Sequence, residues 1–321
     1  MRVSTFLDEH FRHFNARETV AAARGFKTLV DQQGGKMMVT LAGAMSTAEI
    51  GRSLAEMIRA GKVHAISCTA ANLEEDVFNL FAHDEYRIIE DWRALSVDQE
   101  ASFLEQGLNR VTDTCIPETV MRHIERRLTE LWRIAGESAQ PRTAAEFMLE
   151  LLDDPELETH FQIPRSESWL VAVKDAGIPV FVPGVEDSTL GNIFAARVMD
   201  GTVSAHTAMS PGTAVMQQLA DWYRETSREN PIGFFQIGGG IAGDFAICVV
   251  PMLRQDLEED VPLWSYFCQI SDAVTSYGGY SGAVPNEKIT WEKLAAETPK
   301  FMIQSDATIV APLIFAYVLD W

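Results

Sequence analysis

The chain has 321 residues, 47% of them apolar and 22% charged, enough for one large or two modest soluble domains. Forty-six acids against 26 lysines and arginines leave a formal charge of −20 and a pI near 4.7, a surface that repels phosphate backbones and attracts small cations such as polyamines. No apolar run is long enough to span a bilayer, the first 18 residues are too polar for a signal-peptide core, and four cysteines lie far apart without a Cys-x-x-Cys pair; a cytoplasmic protein without zinc, disulfides, membrane or nucleic-acid partner is expected.

In chain order, residues 1–35 read as an amphipathic helical lead-in. Residues 36–42 form a buried apolar strand. Ser46-x-x-Glu49 reads as a capping box ahead of a helix carrying Ile50, Leu54, Met57 and Ile58, and 63–68 is a second buried strand. This β–α–β run is the unit of a parallel sheet. The second strand leads into Thr69-Ala70-Ala71-Asn72-Leu73-Glu74-Glu75-Asp76. Ligands of open α/β sheets bind at carboxyl strand ends, where the acids can accept from a ribose or an ammonium; the same acids also suit the first turn of a helix.

Residues 77–165 change character and read as a mainly helical elaboration, with a long helix over 117–135 and a capping box at Thr143-x-x-Glu146. His10, His13, His123 and His160 show no metal-ligand spacing and read as surface groups. The alternation then resumes: helix 166–176, strand 178–182, a polar loop through Asp187 into a helix, and helix 213–227 with Val215, Leu219 and Trp222 inward. Strand 231–237 runs straight into Gly238-Gly239-Gly240-Ile241-Ala242-Gly243. Gly238-x-Gly240-x-x-Gly243 in a strand-to-helix setting matches the dinucleotide fingerprint, although such turns also serve close packing, and no ribose acid stands at the usual distance. Strands 263–270 and 300–305 follow, ending at Ser271-Asp272-Ala273 and Asp306-Ala307. Between them Gly278-Gly279-Tyr280-Ser281-Gly282 leads through Glu287 to Trp291-x-Lys293. A lysine buried beside an indole loses its charge more easily and can attack an imine carbon; a solvated lysine laying its stem on the ring fits the same spacing. The fold expected is a Rossmann-like α/β domain, one parallel sheet flanked by helices, over residues 1–321.

The order of Thr69-Ala-Ala-Asn-Leu-Glu-Glu-Asp76, Glu186-Asp187-Ser-Thr-Leu-Gly191, the glycine triplet, Ser281-Gly-Ala-x-Pro-x-Glu287, Trp291-x-Lys293 and Asp306-Ala307 resembles deoxyhypusine synthases, especially their divergent synthase-like group. The resemblance implies NAD as cofactor, a homotetramer with sites shared between paired subunits, and transfer of an aminobutyl group from a polyamine through an imine on Lys293. It implies Trp291 against the polyamine chain, and Glu75 and Glu287 as ammonium anchors. It implies NAD contacts from Thr69, Ala70, Glu74, Asp187, Gly238, Gly239, Gly240, Ala273, Ser281, Asp306 and Ala307.

The chain departs from that pattern in the polyamine pocket. Gly243-Asp244 stands where a Lys-His pair is typical, Asn192 replaces an aspartate, Tyr277 and Tyr280 replace two acids, and Gly43-Ala44 replaces Ser-Asn. Asp244, Asn192 and Tyr280 therefore belong to a rebuilt pocket, with Asp244 restoring one negative charge. The acceptor is open between a free diamine, giving homospermidine, and a protein lysine, giving deoxyhypusine. A protein that binds NAD or polyamine without turnover, and an NAD-dependent amine dehydrogenase, are the competing expectations.

Overall fold

The computed structural model describes residues 1–275 and 277–321, with the backbone alone at His123, whose side chain lies outside the described residues. Nine strands occur in it: β1 (Lys36–Leu41), β2 (Ala65–Cys68), β3 (Arg87–Ile88), β4 (Leu108–Val111), β5 (Thr114–Pro117), β6 (Val180–Phe181), β7 (Ile232–Ile237), β8 (Tyr266–Ser271) and β9 (Lys300–Gln304). Six of them form one parallel sheet in the order β6-β2-β1-β7-β8-β9. Counted along the chain within that sheet, the order is 3-2-1-4-5-6, the doubly wound arrangement that opens a crevice where the winding reverses, here between β1 and β7. All six strands read from the sequence are present, and the expected parallel sheet flanked by helices is the fold.

Both faces of the sheet are covered, which is why its strands read as continuous apolar runs. Val39, Leu41, Phe235, Ile237, Cys268 and Ile270 enter one core, roofed by the helices Phe14–Lys27, Ile50–Arg59, Ala70–Ala82 and Ala307–Val318. Met38, Phe234 and Phe267 alternate to the opposite face and pack under the helices Gly212–Ser227 and Gly240–Ile247. In Gly212–Ser227 the inward residues are Val215, Leu219 and Tyr223, while the expected Trp222 is only half-buried. The Tyr223 hydroxyl donates to the Pro262 carbonyl at 2.8 Å, a partner that lets a phenol be buried.

Two local readings are corrected. Ser46 does not cap the helix Ile50–Arg59, whose first position is preceded by Glu49 in a left-handed conformation at φ 54°. Its hydroxyl instead donates to Asn72 Oδ1 at 3.0 Å and accepts from Trp169 Nε1 at 3.0 Å, inside the core. Thr143 and Glu146, by contrast, do form a reciprocal capping box. The stretch read as mainly helical also holds a three-stranded antiparallel sheet, β3-β5-β4, and the long helix begins only at Val120, as Val120–Ser138. Both β3 residues are exposed, so no apolar alternation announces that sheet.

Asn72 fixes the end of β1. Its amide donates to the Gly43 carbonyl at 2.9 Å and to Thr69 Oγ1 at 2.8 Å, and its Oδ1 accepts from the Ser46 N–H at 2.9 Å. The side chain is fully buried, so each lost bond strands a partner in a dry site. Asn72→Leu is expected to lower unfolding stability by about 2–4 kcal/mol, read as a shift of the urea midpoint with the m-value unchanged.

Candidate functional site

At the winding reversal the carboxyl ends of β1, β7, β8 and β9 bound a cleft of about 970 Å³. Ala44 and Met45 line it beyond β1, Gly238 beyond β7, Ser271 and Asp272 at β8, and Asp306 and Ala307 beyond β9. Trp92 and the Thr112–Thr114 corner of the antiparallel sheet close its far side. Gly238 stands at φ 81°, a conformation that side chains avoid, and a Cβ at Gly239 would meet Ser281 Oγ at 2.0 Å. The glycine turn is thus pressed against the loop at Ser281, and the Gly240 N–H donates to Ser281 Oγ at 3.2 Å. Asp306 caps the helix Ala307–Val318 through the Thr308 N–H at 2.8 Å.

The acids after β2 lie inside the helix Ala70–Ala82, all three buried. Glu74 accepts from the Thr189 and Leu190 amides at 3.2 and 2.7 Å, receiving the positive end of the helix Thr189–Met199. Asp76 does the same for the helix Trp169–Ala176, accepting from the Leu170 N–H at 3.1 Å; burial raises its pKa to about 6 against these hydrogen bonds. Glu75 accepts from the Thr47 N–H at 3.2 Å, and burial pushes its pKa up to about 8, with the Glu74 charge adding to the rise. Beside it Asn79 Oδ1 and the Tyr86 hydroxyl are buried without a hydrogen-bond partner among the described residues. The Tyr86 phenol is pushed far up, first by burial and then by the Glu75 charge.

Lys293 is buried, 7% exposed, and its Nζ lies 3.3 Å from Asp244 Oδ1 on the helix Gly240–Ile247. The indole is not what buries it. Trp291 is 63% exposed, and Nζ stands 5.9 Å from its ring centroid and 5.8 Å from that of Tyr280. Tyr280 is held from below: its hydroxyl donates to Gln236 Oε1 at 2.7 Å, while Gln269 Nε2 donates to the Ser281 carbonyl at 2.6 Å. Gln236 and Gln269 face each other in register on β7 and β8, fully buried. Ser67 on β2 extends this polar row by donating to the Ala242 carbonyl at 2.8 Å.

The structure therefore gathers Asp244, Tyr280, Ser281, Trp291 and Lys293 around the glycine turn, and Gly238, Asp306 and Ala307 in the cleft. Ala273 follows β8, its N–H turned to Ser271 Oγ. Glu287 is exposed on the lysine loop. Thr69 caps its helix and donates to the Gly43 carbonyl at 3.0 Å, and Ala70 is buried behind it. Asp187 and Asn192 are exposed around the start of the helix Thr189–Met199. Among the described residues no hydrogen bond or ion pair joins the Glu74–Glu75 group to Lys293. Sequence reasoning missed Asn72, Gln236, Gln269 and Lys288. The repeated Phe-x-Gln-Ile of β7 and β8 was the available signal for the glutamines.

The family model and the curated relatives point to one family. The family model described as deoxyhypusine synthase matches residues 9–318. A deoxyhypusine synthase-like protein of Nostoc punctiforme is 26% identical over 329 residues, covering 100% of this chain and 80% of its own length. A probable deoxyhypusine synthase 1 of Archaeoglobus fulgidus is 26% identical over 315 residues, covering 96% and 90%. Among solved structures, a candidate deoxyhypusine synthase from Entamoeba histolytica superposes with a TM-score of 0.60 at 12% identity, over 99% of this chain and 92% of that one.

The raised Glu75 carboxyl predicts a pH dependence of stability. The folded chain keeps this proton up to about pH 8, whereas a free glutamate releases it near 4.5. The stabilisation is complete below the unfolded value and is lost as pH rises through 8, with a slope of at most about 1.4 kcal/mol per pH unit. Denaturation at stepped pH should show this decline between about 5 and 8, and Glu75→Gln should flatten it.

Proposed function

The chain belongs to the deoxyhypusine synthase family, and from that premise we propose that it is an NAD-dependent aminobutyl transferase acting through Lys293. Aminobutyl transfer is the family's general chemistry. The observation that carries the reading here is a buried amine paired with one carboxylate, on the loop pressed against the glycine turn that floors the cleft. All 321 residues are taken as one domain, in the cytoplasm, where the four free cysteines fit a reducing environment. No helix among the described residues is long and apolar enough to cross a membrane.

The cleft suits a dinucleotide. It lies at the winding reversal, its floor at Gly238 is bare backbone, and the capped start of the helix Ala307–Val318 borders it. Gly238, Asp306 and Ala307 would hold NAD there, with Gly239, Gly240, Ser281 and Ala273 at its rim. Thr69, Ala70, Glu74 and Asp187 complete the proposed set around β2. When bound, NAD supplies hydride removal from the amine-bearing carbon of the donor and its later return.

The chain's own residues do the rest. Glu75 and Glu287 anchor ammonium groups of spermidine or putrescine, and Asn192 and Tyr280 shape the pocket between them. Glu75 gives up its proton when an ammonium arrives, because the opposite charge offsets the burial that held it. Trp291 offers its exposed ring to the methylene chain. Lys293, released from its ion pair with Asp244, attacks the imine carbon of the oxidised donor. The leaving amine departs, 1,3-diaminopropane in the case of spermidine, and the aminobutyl group stays on Lys293 as an imine. An acceptor amine then adds to that carbon and displaces Lys293. The acceptor is a free diamine or a protein lysine, and a panel of the two classes decides between them.

Incubation with NAD and spermidine or putrescine, borohydride trapping and peptide mass spectrometry test the reading. A stable aminobutyl adduct on Lys293 is expected, and Lys293→Ala should remove it and cut transfer on the order of 10³-fold or more while NAD binding persists. NADH accumulating without an adduct would make the protein an amine dehydrogenase, and neither outcome would leave a binding protein. By resemblance to that family, the same reading includes a homotetramer with sites shared between paired chains. Sedimentation equilibrium is expected to give four times the 35.7 kDa chain mass, and a monomer would remove that part.

A further inference from the structure

A second lysine is built into the same turn. Lys288 is 3% exposed, and its Nζ is buried with no hydrogen-bond partner among the described residues. It lies over two aromatic rings, 4.8 Å from the centroid of Phe267 on β8 and 4.9 Å from that of Tyr280. The Tyr280 ring is also the one that Lys293 approaches.

The backbone explains why the two amines meet. The Lys293 N–H bonds to the Lys288 carbonyl at 3.0 Å, the Glu292 N–H bonds to the Ile289 carbonyl at 3.1 Å, and Glu292 is left-handed at φ 53°. This paired closure is the Schellman turn, which sets the side chains of its first and last residues against each other, ordinarily as an apolar contact. Here those residues are Lys288 and Lys293, so two lysine stems share the place of a hydrophobic pair.

Charge is scarce around them. Asp244 is the carboxylate in contact with Lys293, Glu287 is exposed on the same turn, and Cys248 and Tyr280 complete the ionisable groups facing the pair. Burial pushes both the Cys248 thiol and the Tyr280 phenol up, so both stay neutral at ordinary pH. Asp244 thus contacts Lys293, while the Lys288 amine has no hydrogen-bonding carboxylate among the described residues. Burial, and next the charge of Lys293, lower the Lys288 pKa to about 8, with Glu287 and Asp244 opposing.

We propose that Lys288 is a positioning residue for the transfer: its ammonium, seated on the Phe267 and Tyr280 rings at the other end of the turn that holds Lys293, repels the Lys293 ammonium and so favours the free amine that attacks. The inference rests on Lys293 being the nucleophile. A cation beside a lysine is a recognised means of freeing the amine, since like charges disfavour each other's protonated form. Removing Lys288 leaves Lys293 and Asp244 a matched ion pair.

The test uses Lys288→Met, close in shape and apolar enough for its seat, and Lys288→Arg, which keeps a charge at every working pH. Two readouts are needed. One is the pH profile of kcat for transfer. The other needs neither cofactor nor donor: reductive methylation of Lys293 by formaldehyde and cyanoborohydride at stepped pH, followed by peptide mass spectrometry. In Lys288→Met the acid limb of kcat and the midpoint of Lys293 labelling should both move about one unit upward, so that kcat near pH 7 drops about tenfold with KM for the donor little changed. Lys288→Arg should keep the parent's acid limb. A Lys288→Met protein whose labelling midpoint and limb stay in place, or a uniform loss at every pH that Lys288→Arg shares, would overturn the proposal and leave Lys288 a packing residue. A parent without turnover whose Lys293 labelling still shifts in Lys288→Met would sink the transferase reading and leave the repulsion between the two amines standing.

Discussion

The site depends on two glutamines inside a parallel sheet. Gln236 and Gln269 occupy paired positions on β7 and β8, facing the side where their neighbours Phe234 and Phe267 make an apolar core. A buried amide must spend its hydrogen bonds within the protein. Gln236 spends them on the Tyr280 hydroxyl and the Gly238 carbonyl, at 2.7 and 3.0 Å, and the Gln269 amide goes to the Ser281 carbonyl. The sheet thereby holds the glycine turn and the lysine loop together, two segments some 40 residues apart in the chain. Without those bonds nothing in the loop's own sequence, rich in glycine, would select one conformation.

Two side chains complete the site around this anchor. The Tyr280 ring is the common wall for Lys288 and Lys293. Asp244, on the helix Gly240–Ile247, meets the amine of Lys293. On the other side of the crevice, Glu74 and Asp76 each receive a helix N-terminus, so these two acids hold architecture in place, while Glu75 sits among unpaired polar groups.

Much of this was legible in the sequence. Six strands declared themselves as short apolar runs, and their alternation with helices specified the parallel sheet. The glycine triplet and Trp291-x-Lys293 pointed to the right loops. What escaped had no local signature. Ser46 and Glu49 have the spacing of a capping box, yet the serine is claimed by Asn72 and Trp169, far along the chain. The two-residue strand β3 is too short and too exposed to show a period. The indole next to Lys293 in sequence faces outward, and the ring that matters belongs to Tyr280, eleven positions before Trp291. Lys288, next to Glu287, carries no local signal of burial, because burial of a lysine is a property of what lies above and below it.

Glu292 completes the turn between the two lysines in a backbone shape that glycine adopts freely and other residues take at a cost of roughly 1–2 kcal/mol. A segment strained in this way is a natural point of local opening, where amide protons exchange with solvent before the rest of the sheet yields. Because Lys288 and Lys293 are the two ends of that single closure, an opening that wets one amine would also wet the other.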